Sequence, residues 1–188
     1  MNGRGKEVMK SIVSMITVLF LWTTGAQAAT IGFDPISSNV SLGSGFSVNV
    51  VGSIFPQTQG GGFNLYFNSS IVNVTSVSIN ANVWNFVNGT GTINNTGGSL
   101  TSVFMSAFPG VGPGSINVAT INLLAVGSGS TSLTLTEYDK NPWASDGNRI
   151  NPIFNAGSVN VAAAIPEPAS IVLMGTGLAG ILRLARRK

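Results

Sequence analysis

Between residues 30 and 164, apolar and polar side chains alternate with period two in one short window after another. Clusters of glycine, asparagine, serine or proline close each window. A chain patterned this way buries one face of each segment and wets the other, as strands of a two-layer β structure require. Phe46-Ser47-Val48-Asn49-Val50 is such a window, and Phe63-Asn64-Leu65-Tyr66-Phe67 follows after an expected Gly60-Gly61-Gly62 turn. Ile71–Ile79 sets Val72 and Val74 on one face, then Val77 and Ile79 after a step of three, which predicts a β-bulge at Thr75-Ser76. Ser115–Ala125, Thr131–Tyr138 and Gly157–Val161 supply further strands, with turns at Gly43-Ser44-Gly45, Asn94–Gly98, Pro109–Gly114 and Gly127–Gly129. No window carries three turns of amphipathic helix. The expected fold is all-β, an antiparallel sandwich or jelly roll around one core.

Composition removes several kinds of chemistry. The 188 residues include no His and no Cys, which excludes Ser-His-Asp and Cys-His catalysis, thiolate or imidazole zinc sites, and disulfides. The net charge of +3 resides in the termini: Arg4, Lys6 and Lys10 at one end, and Arg183, Arg186, Arg187 and Lys188 at the other. Between residues 30 and 164 only Lys140 and Arg149 stand against Asp34, Glu137, Asp139 and Asp146. No basic patch for a nucleic acid exists there.

Both termini read as addresses. Arg4, Lys6 and Lys10, the apolar run Ser11–Trp22 and Ala26-Gln27-Ala28 have the order of a secretory signal peptide, residues 1–28, for export by the Sec machinery with cleavage after Ala28. At the other end Pro166-Glu167-Pro168 precedes the uncharged run Ala169–Leu182 and the basic tail Arg183–Lys188. A helix over 169–184 is expected to reach into a membrane as a transient anchor, with Arg183 snorkelling and the positive tail on the cytoplasmic side. A buried core helix would not end in such a cluster of cations. Gly175-Thr176-Gly177-Leu178-Ala179-Gly180 fits a dinucleotide fingerprint but lacks the strand and downstream acid the fingerprint needs, so no nucleotide site is assigned.

Residues Ile165–Lys188 resemble the PEP-CTERM sorting signal of Gram-negative bacteria, with every part of that pattern in order. The resemblance implies recognition by an exosortase and delivery to the cell envelope, outer surface or extracellular matrix, often beside exopolysaccharide systems. The body, residues 29–164, resembles the cohesin family. Gly43–Val51, Gly62-Phe63-Asn64-Leu65-Tyr66-Phe67-Asn68 and Ile71–Val77 follow that family's strand order, although Phe67-Asn68 stands where Tyr-Asp is common. That resemblance implies a nine-stranded jelly-roll sandwich related to carbohydrate-binding modules. The best-known cohesins bind dockerins, and no contact motif carries over by residue.

Candidate chemistry is sparse. Tyr138–Ile150 is the most charged loop; Asp139 and Asp146 with Asn141 and Asn148 offer oxygen ligands of the kind Ca²⁺ takes, without EF-hand spacing. A solvated loop turning at Asp146-Gly147 accounts for the same residues. Glu137 and Asp139, two apart on a strand, share a face, but a glycosidase pair also needs distinct environments to separate the two carboxyls. Trp143 is the aromatic expected to be exposed and to stack on a sugar ring. The chain therefore reads as a non-enzymatic, exported binding or adhesion module. Polysaccharide is the first ligand class, and a dockerin-type envelope protein is the alternative.

Overall fold

The computed structural model describes residues 28–163. They form thirteen strands: β1 (Thr30–Asp34), β2 (Ser37–Ser41), β3 (Gly45–Phe55), β4 (Thr58–Tyr66), β5 (Val72–Ser78), β6 (Asn88–Asn94), β7 (Ser99–Val111), β8 (Gly114–Ala125), β9 (Gly129–Glu137), β10 (Ala144–Ser145), β11 (Asn148–Arg149), β12 (Ile153–Phe154) and β13 (Gly157–Ala162). A five-stranded sheet runs β12-β1-β3-β8-β5. In the second sheet β4 takes β7, and beyond it β6, on one edge. Its other edge is shared. β9 pairs with Phe63–Tyr66 and leads on to β13 and β2, while β10, the first strand of the β10–β11 hairpin, meets Gly60.

The inward faces make one core. Val48, Val50, Ile121 and Leu123 from the five-stranded sheet meet Phe63, Leu65, Leu100, Val103, Leu133 and Val159 from the other. Burying a side chain of this size is worth roughly 1.5–3 kcal/mol, and with no disulfide this packing carries most of the stability. β9 shows the pattern most plainly: Thr131, Leu133 and Leu135 are buried, while Ser132, Thr134 and Thr136 are exposed.

Most pairings are antiparallel, as expected, but two are parallel. β1 runs beside β12, and β2 beside β13. Both chain segments therefore turn the same corner from one sheet to the other, and Ser158 N donates to Ile36 O at the step. The termini of the fold lie at opposite ends of the sandwich. The entry end gathers Ala29, the β3–β4, β5–β6 and β7–β8 connections and the loop after β9. The exit end gathers the β2–β3, β4–β5, β6–β7 and β8–β9 connections and Ala162.

The bulge expected at Thr75-Ser76 is present: the β5–β8 register shifts between Val74 and Ser76. The turn expected at Gly60-Gly61-Gly62 is not. Those glycines lie inside β4, and a Cβ on Gly61 would stand 2.1 Å from Trp143 Cδ2. Here glycine marks a close approach rather than a reversal. The turn expected over Pro109–Gly114 is also shorter, because β7 runs on to Val111.

Replacing Gly61 with Ala is expected to cost roughly 1–3 kcal/mol, the range for overpacking. Gly112→Ala, in open space, should be near neutral. Equilibrium unfolding of both variants checks the contrast; equal midpoints would refute the close approach.

Candidate interaction surface

The loop after β9 is built from β4 outward. Trp143 N donates to Glu137 Oε1 at 3.1 Å, and Arg149 pairs with the other oxygen of the same carboxylate. Asn141 Nδ2 donates to Gly61 O at 2.9 Å, and Gln59 Nε2 to Asp146 Oδ1 at 3.2 Å. Glu137, at the end of β9, and Asp146, in the loop, thus hold the loop in place. Among the described residues no group of three or more His, Cys, Asp or Glu is placed to hold a metal ion. A shallow cleft of about 430 Å³ between Phe33, Val51, Ser53 and Asn117 contains one carboxylate, that of Asp34.

Trp143 is not the exposed stacking platform that its charged loop suggests. It is 0% exposed, packed edge-on against Phe55 at 5.2 Å and Trp84 at 6.2 Å between centroids. Its backbone N–H is tied to Glu137, and Gly61 leaves the space that the ring occupies. The sequence signal for this burial is the glycine triplet, which leaves a gap the size of a ring on a core strand. With Trp84, whose Nε1 donates to Asn117 O at 3.0 Å, the three aromatics plug the entry end.

Ala26 and the Pro166-Glu167-Pro168 motif lie outside the described residues, as does the helix expected over 169–184. Ala28 is exposed, whereas Ala29 is buried and accepts a hydrogen bond from Ile153 N at 2.9 Å. Ala29 is thus the first of the described residues that the fold buries.

Exposed apolar surface appears where no alternation announces it. Phe86 (72% exposed) and Val87 end the β5–β6 loop, beside Phe108 (75% exposed) on β7. The backbone beneath them is fixed. Phe86 N donates to Ser106 O at 3.1 Å and Val87 N to Ser106 Oγ at 3.0 Å. The Asn85 amide brackets Phe108, accepting from its N–H at 3.0 Å and donating to its carbonyl at 3.4 Å. Neither the β5–β6 loop nor β7 contains a charged residue. The result is a held apolar patch at the entry end. The sequence hides it because Asn85-Phe86-Val87-Asn88 and Phe108-Pro109-Gly110 read as punctuation.

Residues 164–188 match the PEP-CTERM protein-sorting motif. The motif marks the chain for export and envelope-associated sorting. No curated protein matches the sequence. Among solved structures, the sandwich is similar to a type I cohesin–dockerin complex, Coh-OlpA-Doc918, from Clostridium thermocellum (TM-score 0.60, 14% identity, covering 72% of this chain and 100% of that one). It is also similar to a non-cellulosomal cohesin of the archaeon Archaeoglobus fulgidus (0.59, 17%, 72% and 92%). A third likeness is to the third cohesin of ScaC from Acetivibrio cellulolyticus (0.55, 20%, 72% and 99%). At these identities the likeness is one of fold: the body is a cohesin-like sandwich.

Trp143→Ala is expected to destabilise the domain by about 3–5 kcal/mol, as for a large buried aromatic. Thermal unfolding measures it. A variant of unchanged stability would return Trp143 to the surface.

Proposed function

We propose that this protein is an exported protein-interaction module of the cell envelope: a cohesin-like sandwich, delivered by its signal peptide and sorted by an exosortase through Pro166-Glu167-Pro168, that presents Phe86, Val87 and Phe108 to a protein partner. The observation that carries this reading is the held apolar patch. Two phenyl rings more than two-thirds exposed lose free energy in water and regain it under a partner. Their backbone is already fixed by Asn85 and Ser106, so little ordering entropy is lost on docking. Two of the three cohesins that this fold resembles were solved in complex with a dockerin, which supports a protein as the partner.

A polysaccharide ligand is the second reading, and a different surface favours it. On the outer face of the five-stranded sheet Ser47 Oγ donates to Asn122 Oδ1 at 2.6 Å, and Asn122 Nδ2 to Ser76 Oγ at 2.8 Å. Thr120 Oγ1 donates to Asn49 Oδ1 at 2.8 Å beside them. This uncharged ladder of hydroxyls and amides suits a weak, wet contact with sugar. With Trp143 buried, it has no aromatic platform.

The double variant Phe86→Ser, Phe108→Ser should fold with near-native stability and lose at least tenfold in affinity for a protein captured by the wild type from the envelope fraction. Titration calorimetry with that protein measures the change. Unchanged affinity in the double variant, or binding only to the producer's exopolysaccharide, would overturn the protein reading.

A further inference from the structure

The two ends of the sandwich differ in a way that the sorting motif makes meaningful. Of the six charged residues described, Glu137, Asp139, Lys140, Asp146 and Arg149 lie in the structure around the entry end, and Asp34 lies partway along the edge. The exit end has none. Its four connections, residues 42–44, 67–71, 95–98 and 126–128, hold neither Asp, Glu, Lys nor Arg. The same end exposes Leu42 (40%) and Val126 (39%). Either residue alone would be ordinary. Together they flank the point where the chain leaves the fold: Leu42 N donates to Ala162 O at 3.2 Å, and Gly43 N to Ala125 O at 2.9 Å, next to Val126.

Beyond Ala162 three residues remain before Pro166. Fully extended, the four steps from Ala162 to Pro166 span at most about 14 Å. The apolar run begins three residues later, at Ala169. The interfacial layer on each side of the hydrocarbon is only some 5–8 Å thick. While the apolar segment is in a membrane, the seven steps from Ala162 to Ala169 span at most about 24 Å, so the exit end is the part of the sandwich held nearest the lipid surface.

We infer that the exit end is a lipid-facing surface: Leu42, Val126 and the four uncharged connections rest on the headgroup layer while the C-terminal segment holds the chain. This rests on the reading of residues 165–188 as a membrane-held sorting signal. An end without charges has no ion to desolvate on contact. Asp34, opposite Asn49, stands roughly 13 Å along β3 from Gly45, and Glu137 roughly 26 Å along β9 from Gly129, against a Debye length of about 8 Å at physiological salt. Every acid of the body is therefore more than a Debye length from the exit end. The patch at Phe86 and Phe108, at the entry end, faces outward.

The chain has no Cys, so single cysteines report cleanly. Leu42→Cys, Val126→Cys and, at the charged end, Lys140→Cys would be placed in the exported chain Ala29–Lys188. Each is spin-labelled and reconstituted into vesicles of phosphatidylethanolamine and phosphatidylglycerol. Labels at 42 and 126 should collide with a water-soluble nickel chelate several-fold less often than the label at 140, and relatively more often with oxygen. Protein that floats with the vesicles but shows equal nickel collision at all three positions overturns the lipid-facing surface and leaves the anchor intact. Protein that does not float overturns the anchor, and the surface with it.

Discussion

The contact between the Trp143 indole and the Gly61 backbone decides the shape of the entry end. A central strand of a sheet ordinarily carries side chains on both faces, yet β4 offers Gly60, Gly61 and Gly62 in succession. The vacancy over Gly61 is filled by the Trp143 ring, from a loop distant in sequence. For that ring to arrive, the loop must fold back along β4. It does so through Asn141 on the Gly61 carbonyl, Gln59 on Asp146, and the β10 strand beside Gly60. Glu137 and Arg149 brace the loop at its base. The most charged segment of the chain is thus drawn into structure by an apolar contact, and its carboxylates serve as struts.

A second device compensates for the scarcity of ions. Asparagine side chains act as spare peptide groups where the backbone ladder fails. At the edge of β5 the Asn95 amide accepts from Val74 N and donates to Val74 O, both at 2.9 Å, as a neighbouring strand would. Asn64 does the same across the irregular step in β7, accepting from Ser102 N and donating to Glu137 O. Asn88 accepts from Ser106 N and donates to Trp84 O. A primary amide carries one carbonyl and two N–H bonds, so it can mimic both halves of a strand pairing. At Asn95 the result also blunts a sheet edge that would otherwise offer free backbone to another chain. An asparagine-rich, charge-poor composition follows from this use.

What could be read in the sequence, and what could not, divides along the same line. The strands with regular alternation, β3, β5, β8, β9 and β13, stand where period two places them, and even the β5 bulge is written in the step from Val74 to Val77. β7 escapes because Leu100 and Val103 face inward across a residue, Ser102, at φ 62°. The step of three breaks the pattern, and Pro109-Gly110 completes the disguise. β6 escapes because nearly all of it is exposed, leaving no face to detect. The candidate surface was illegible for a related reason. Phe86 and Phe108 are apolar residues outside any core face, and Trp143 is a core residue inside a polar loop. In each case the deciding fact is a partner distant in sequence: Asn85 for Phe108, and Gly61 for Trp143.

The parallel corner made by β1–β2 and β12–β13 gives the molecule its direction. Because both segments travel the same way along the sandwich, the chain enters at one end and leaves at the other. An antiparallel pairing of the terminal strands would have put both ends together, with the sorting motif beside the aromatic patch. As built, the length of the sandwich separates the tether from Phe86 and Phe108. Ala162, where the described chain leaves the fold, and the exposed Phe86 and Phe108 therefore lie at opposite ends of one sandwich.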